Sequence, residues 1–175
     1  MDLKQVLAKN LESAHNAFAQ TVADVTQEMA DWIPPGVMHP IGERYAHLVL
    51  TEDMLVNAVA KGGAPLCMST WLGRTGFSAA PEMVTALTAE RARAFRVHDL
   101  NALAQYMRAV FENTQAYINE ADEARLASRV DMQIVGRGEI PFPIWFSMFI
   151  VGHTRDVMGE ISALKGCLGV KGYPF

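Results

Sequence analysis

An all-α four-helix bundle is the fold class that this 175-residue sequence predicts, and three observations predict it. Apolar residues return every three or four positions through four long stretches. Glycine and proline punctuate those stretches, and one of the three connections is far longer than the other two. A chain of this length is ordinary for one domain, so residues 1–175 are expected to share one core that buries roughly 70% of the surface the unfolded chain would expose. Apolar residues make up 50% of the chain and charged residues 19%, with 15 Lys and Arg against 19 Asp and Glu. That balance excludes a disordered chain and a polybasic nucleic-acid binder.

The first stretch runs from about Leu3 to Trp32. It carries Leu3, Leu7, Leu11, Ala14, Phe18, Val22, Val25 and Met29 at helical spacing, and Pro34, Pro35 and Gly36 end it. The second opens at Pro40, suited to a first helical turn, and its inner face reads Ile41, Tyr45, Leu48, Glu52, Leu55 and Val59 before Gly62 and Gly63. The third follows Asp99, a good N-cap, with Leu100, Leu103, Met107, Val110, Thr114, Tyr117 and Ala121 on its face. The fourth begins near Pro141 or Pro143, places Phe146, Ile150, His153, Val157, Ile161 and Leu164 on one stripe, and ends at Gly166.

Link lengths give the topology. The 37 residues between Lys61 and Asp99 far exceed an antiparallel turn and include a predicted short helix over Pro81 to Arg96, so the second and third long helices are expected to run parallel. The order is then up, down, down, up, with a long crossover between helices two and three. In the last link Val130, Met132 and Ile134 alternate with polar residues, which predicts a small hairpin closed by Gly136 and Gly138. The longest apolar run, Phe142 to Gly152, is about half of what spans a bilayer, so no membrane segment is expected. Cys67 and Cys167 show no paired spacing, and Met1 leads into Asp2, Leu3 and Lys4 rather than an apolar signal segment. Both features predict a reducing, cytoplasmic setting.

Five histidines are the first candidates for chemistry. His39 at a helix mouth and His98 in a connection read as solvated, and His15, flanking the first stripe, reads equally as structural or functional. His47 and His153 form the better pair. At about 1.5 Å per residue, His47 lies roughly 10 Å from the start of its helix and His153 roughly 18 Å from the end of its own, and in the predicted topology both distances run from the same end. Facing imidazoles are how bundle metal sites are assembled, although a catalytic zinc usually takes three protein ligands. Val157, one turn after His153, stands where a third would most easily come. Glu52 is either a metal ligand or, more simply, the partner of Arg44, Arg155 or a tyrosine hydroxyl; Asp156 and Glu160 flank the His153 stripe.

Other chemistry has little support. The cysteines lack an adjacent base, the serines lie in no nucleophile elbow, and phosphate-binding glycine patterns are missing. Ten methionines and the tryptophans Trp32, Trp71 and Trp145 read as core or as the lining of an apolar cavity. Arg91, Arg93 and Arg96 read as a solvated face or as a grip for an anionic substrate.

Certain of these residues resemble a known pattern. Trp32-Ile33-Pro34-Pro35, His39-Pro40-Ile41-Gly42 and His47-Leu48 with Glu52 five positions on look like the second-helix signature of the DinB/YfiT-like superfamily. His153 followed by Gly159-Glu160-Ile161-Ser162-Ala163-Leu164-Lys165-Gly166 and the ending Lys171-Gly172-Tyr173-Pro174-Phe175 are similar to a branch of it. The resemblance covers nearly the whole chain. It implies a four-helix bundle with a divalent metal such as Zn, Ni or Fe, held by one histidine of the second helix and two of the fourth spaced H-x-x-x-H. His47 and His153 match two of these positions and Val157 departs from the third. The resemblance further implies metal-dependent, thiol-dependent transferase or hydrolase chemistry on a low-molecular-weight thiol, and a homodimer. The alternative is a non-enzymatic bundle that binds a small ligand, or serves only as core, after losing tight metal binding. A small-molecule ligand or substrate is expected either way, with no nucleic acid and no membrane as partner.

Overall fold

The computed structural model describes residues 1–78 and 88–174. Helix α1 (Leu3–Val22) opens with a capping box in which Asp2 accepts the Gln5 backbone N–H and the Gln5 side chain accepts that of Asp2. It stops ten residues before Trp32. Thr26 caps a separate short helix, α2 (Gln27–Asp31), by accepting the Met29 N–H at 3.2 Å. The apolar spacing of Val25 and Met29 continues across this break, so periodicity alone overextends the helix; the competing signal is the threonine cap.

Helix α3 (Ile41–Asp53) passes directly into a π-helical segment, Met54–Ala60, and Gly62, at φ +68°, ends it. Asp53 then ties the crossover to the bundle. Its carboxylate accepts Asn57 Nδ2 at 2.7 Å, the backbone N–H groups of Leu66 and Cys67 at 2.9 Å each, and the Tyr106 hydroxyl at 2.6 Å. Four donors satisfy a fully buried carboxylate that would otherwise be costly. Gly76, at φ +83°, lies so near the next helix that a Cβ would sit 2.2 Å from the Asp99 carbonyl oxygen.

Most of the helix expected over Pro81 to Arg96 lies outside the described residues; the described part is α4 (Ala89–Ala94). The arginines there are not a solvated face alone. Arg93 donates to the Pro34 and Gly36 carbonyls at 2.9 and 2.6 Å, and Arg96 to those of Arg93 and Phe95, which pins this segment over the end of α2. Helix α5 (Leu100–Glu120) follows its Asp99 cap, then comes the short α6 (Glu123–Ala127). The predicted hairpin is present as β1 (Arg129–Asp131) and β2 (Glu139–Pro141), antiparallel with Val130 opposite Ile140. Val130 and Met132 are buried, but a tight turn at Gln133–Val135 carries Ile134 out to solvent, so the alternation stops one step early. Helix α7 (Phe142–Trp145), a second π-helical segment (Phe146–Gly152) and α8 (His153–Cys167) form one continuous rod.

Paired contacts give the directions. His15 meets Glu52 and Phe18 meets Tyr45, so α1 and α3 are antiparallel. Tyr45 donates to Met107 and Asn113 to Asn57, so α3 and α5 are parallel. Arg44 meets Glu160 and His47 meets His153, so α3 and α8 are antiparallel. The order is up, down, down, up, as the long crossover predicts.

The core has two apolar bodies. One joins Phe18, Ile41, Leu48, Leu103, Tyr106, Val110 and Ile161; the other joins Leu11, Val56, Ile118, Met132, Phe142, Trp145 and Phe146. Where they meet, each long helix contributes a buried polar side chain: His15, Glu52, Thr114 and Thr154. The two threonines satisfy themselves on the carbonyls of Val110 and Ile150, one turn back. The histidine and glutamate must find partners across helices.

Candidate functional site

His47 projects from the middle of α3 and His153 from the first residue of α8, directly after the second π-helical segment. Their Nε2 atoms stand 3.2 Å apart with the rings tilted at 75°. The sequence-derived depths, roughly 10 and 18 Å from one end of the bundle, leave a modest stagger that the structure closes. Burial, then the Arg44 charge, and then the neighbouring His153 and His39, hold His47 down at about 3. Burial and Arg44 also lower His153, against the opposing fields of Glu52, Asp156 and Glu160. Both rings are thus neutral at physiological pH. With Nε2 facing Nε2, one ring donates an N–H to the other or both lone pairs turn toward a shared cation.

Beside the pair runs an ion network that sequence reasoning did not anticipate. Glu43, only 1% exposed, accepts Arg44 Nε at 2.6 Å and a second Arg44 nitrogen at 2.9 Å, and it lies 2.9 Å from His39 Nδ1. Arg44 also donates to His39 Nδ1 at 2.7 Å and to Glu160 at 3.3 Å. His39 is therefore a partner in the network rather than a solvated residue, whereas His98 is exposed as expected. A glutamate at the third position of a proline-led helix, followed by arginine, was the available signal. It was masked because such pairs are ordinarily solvated.

Glu52 is 2% exposed and its partner is His15, not Arg44, Arg155 or a tyrosine. His15 Nε2 lies 3.1 Å from each carboxylate oxygen; Oε2 takes the hydrogen bond, and Oε1 is buried without one. The His15 ring stacks on Phe111 with centroids 3.6 Å apart and planes within 1°. Cys67 is no nucleophile, since burial and the Asp53 charge push its thiol up to about 11.

The metal that the sequence resemblance implies can be weighed against these donors. At a zinc–nitrogen distance of about 2.0–2.1 Å, a 3.2 Å separation of the two Nε2 atoms subtends roughly 100–105°, close to tetrahedral. Two donors fit; a third does not follow. Val157 is buried and apolar one turn further on, Asp156 is exposed, and Glu160 is engaged by Arg44. Among the described residues no group of three His, Cys, Asp or Glu side chains could hold a metal ion. Neither Nδ1 of the pair has a hydrogen-bond partner among those residues, so the second shell that normally orients a metal-bound imidazole is missing as well.

A four-helix bundle in up-down-down-up order, with two imidazoles converging between its second and fourth long helices, defines the class of protein. The chain belongs to the DinB superfamily, whose sequence model matches residues 10–161. A conserved protein from Enterococcus faecalis, known from its crystal structure, is 20% identical over 97% of this chain and 99% of that one, with a TM-score of 0.76. That likeness is one of fold. A comparison with curated proteins finds no match. No helix among the described residues is long and apolar enough to cross a membrane.

Proposed function

We propose that this DinB-superfamily chain is an enzyme of the thiol-dependent transferase or hydrolase kind, built on a degenerate two-histidine metal site at His47 and His153. The convergence of the two Nε2 atoms at 3.2 Å carries the reading. Burial and the Arg44 charge keep both lone pairs unprotonated at neutral pH, which a divalent ion requires. A bound Zn, Ni or Fe would lower the pKa of water or of a low-molecular-weight thiol. The chain's own part is to hold the two imidazoles at fixed separation, to hold Arg44 beside them through Glu43 and Glu160, and to place the buried Val157 one turn after His153.

Val157 and the missing second shell favour a second reading, a non-enzymatic bundle whose cavity takes a small ligand without tight metal. Calorimetric zinc titration of untagged protein separates the two. One site in the micromolar range or tighter that His47→Ala abolishes supports the enzyme, and the absence of saturable binding supports the ligand binder. A homodimer belongs to either reading, with its cytoplasmic setting. The C-terminal segment does fold back on its own bundle, since a Cβ at Gly172 would lie 2.6 Å from the Ser162 carbonyl oxygen. Light scattering at several concentrations decides the dimer, and a constant mass near 19.2 kDa argues against it.

A further inference from the structure

Between α1 and α5, on the side of the bundle away from α8, lies a groove of about 590 Å³ that the proposed metal-site chemistry does not use. His15 sits in its wall, 6% exposed. Two contacts fix its ring: the face-to-face stack on Phe111 and the hydrogen bond from Nε2 to the buried Glu52 carboxylate. A ring that gives its Nε2 proton to a carboxylate keeps the lone pair on Nδ1. That nitrogen has no partner among the described residues, and His15 lines the groove.

Charge on the groove wall points the same way. Glu12 and Glu112 face one cation, Arg108, and Glu52 adds a further carboxylate immediately behind His15. Ala19, Val22, Ala104 and Met107 line an apolar part of it, beside the amides of Asn16, Asn101 and Gln115, so the site combines an apolar trough with an acceptor in its wall and a net acidic lining. An acceptor backed by a carboxylate recognises a donor, and acidic walls favour one that carries positive charge.

We propose that the α1–α5 groove is a binding site for a small organic ammonium ion, whose N–H donates to His15 Nδ1 and whose apolar body lies against Ala19, Val22, Ala104 and Met107. The buried Glu52 is the positioning residue. It holds the tautomer that makes His15 an acceptor, in the way a buried carboxylate orients a catalytic imidazole. The site lies across the bundle from His47 and His153 and stands whether or not those residues hold a metal.

The experiment is an NMR titration of the imidazole and Phe111 ring signals of the full chain at neutral pH, with benzylammonium, benzyl alcohol and benzoate as probes of one shape and three charges. Benzylammonium should shift His15 and Phe111 saturably in the millimolar range or tighter, with benzyl alcohol about tenfold weaker and benzoate silent. His15→Ala strips Glu52 of its partner and endangers the fold, so two wall variants carry the test instead. Ala104→Leu fills the trough and should abolish binding of both amine and alcohol. The double substitution Glu12→Gln with Glu112→Gln should weaken benzylammonium several-fold and leave benzyl alcohol unchanged. The proposal is overturned if no probe moves His15, if benzoate or benzyl alcohol binds as well as benzylammonium, or if the shifts fall on His47 and His153 instead.

Discussion

Two pairs of polar residues near the middle of this bundle, one buried and one half-buried, use the same chemistry to opposite ends. His15 faces a carboxylate, stacks on Phe111, and has its tautomer decided for it. His47 faces a second imidazole, with no carboxylate bonded to either ring and Arg44 pressing on both. The first arrangement has its tautomer set without a ligand and holds α1 to α3, although Glu52 Oε1 stays unpaired. The second is satisfied only in part, since two acceptor nitrogens meet where one proton or one cation must serve both. What separates His15 from the candidate metal ligands is the charge of its partner.

Adding the missing donor should produce the largest change. Val157→His places an imidazole one turn after His153, and if the two present rings face a common point, zinc affinity should rise by orders of magnitude because the other ligands are already positioned. Without metal the larger polar ring should destabilise the fold by about 1–3 kcal/mol. The melting temperature should thus fall in chelator and recover with zinc. Identical zinc isotherms for parent and variant would mean that the pair is only a hydrogen bond.

Breaking the pair that includes a carboxylate should come next. His15→Ala leaves Glu52 buried with neither oxygen bonded, and stripping a buried charged acceptor of its donor typically costs about 1–3 kcal/mol or more. Urea denaturation should show that loss, whereas His47→Ala, which leaves a neutral imidazole behind, should cost clearly less. Equal costs would erase the contrast between the two sites.

Sequence spacing foresaw one pair and missed the other for a physical reason. The helix of His47 has its start marked by Pro40 and that of His153 its end by Gly166, so counting residues from one end of the bundle brought the two within a modest stagger. The level of His15 depends on where α1 ends, and the apolar spacing through Val25 and Met29 hid the break after Val22. The partner of Glu52 was misassigned for the same reason. The π-helical segments at Met54–Ala60 and Phe146–Gly152 have no apolar signature, and the Asp53 network depends on a crossover whose path no periodicity describes. Helix count, order and direction were legible because they follow from stripes and link lengths.

Acid should act on the incomplete pair. His47 is held at about 3 in the folded protein, against about 6.5 for a free imidazole in the unfolded chain. A lowered folded value means that the unfolded state binds the extra proton, so this contribution is fully present above about pH 6.5 and is lost as pH falls toward 3. Each proton taken up only on unfolding costs about 1.4 kcal/mol per pH unit. Denaturation midpoints between pH 7.5 and pH 5 should therefore fall, and His47→Gln should flatten the slope. A parent slope of zero over that range would show that the rings charge freely when folded.

The smallest effect tests whether the two pairs sense one another. The Glu52 charge raises His153 while burial and Arg44 lower it. Glu52→Gln keeps the shape of the side chain and removes that field, so in metal-free protein the His153 titration, followed through its ring carbon and proton resonances, should move further down. The substituted amide can also donate to His15 Nε2, which would move the His15 proton to Nδ1 and turn an acceptor toward the groove into a donor. One substitution should thus lower the proton affinity of His153 and reverse the polarity of His15. If His153 titrates unchanged while His15 switches, the two sites share a layer of the bundle but no electrostatic coupling. If both respond, Glu52 is the link between them.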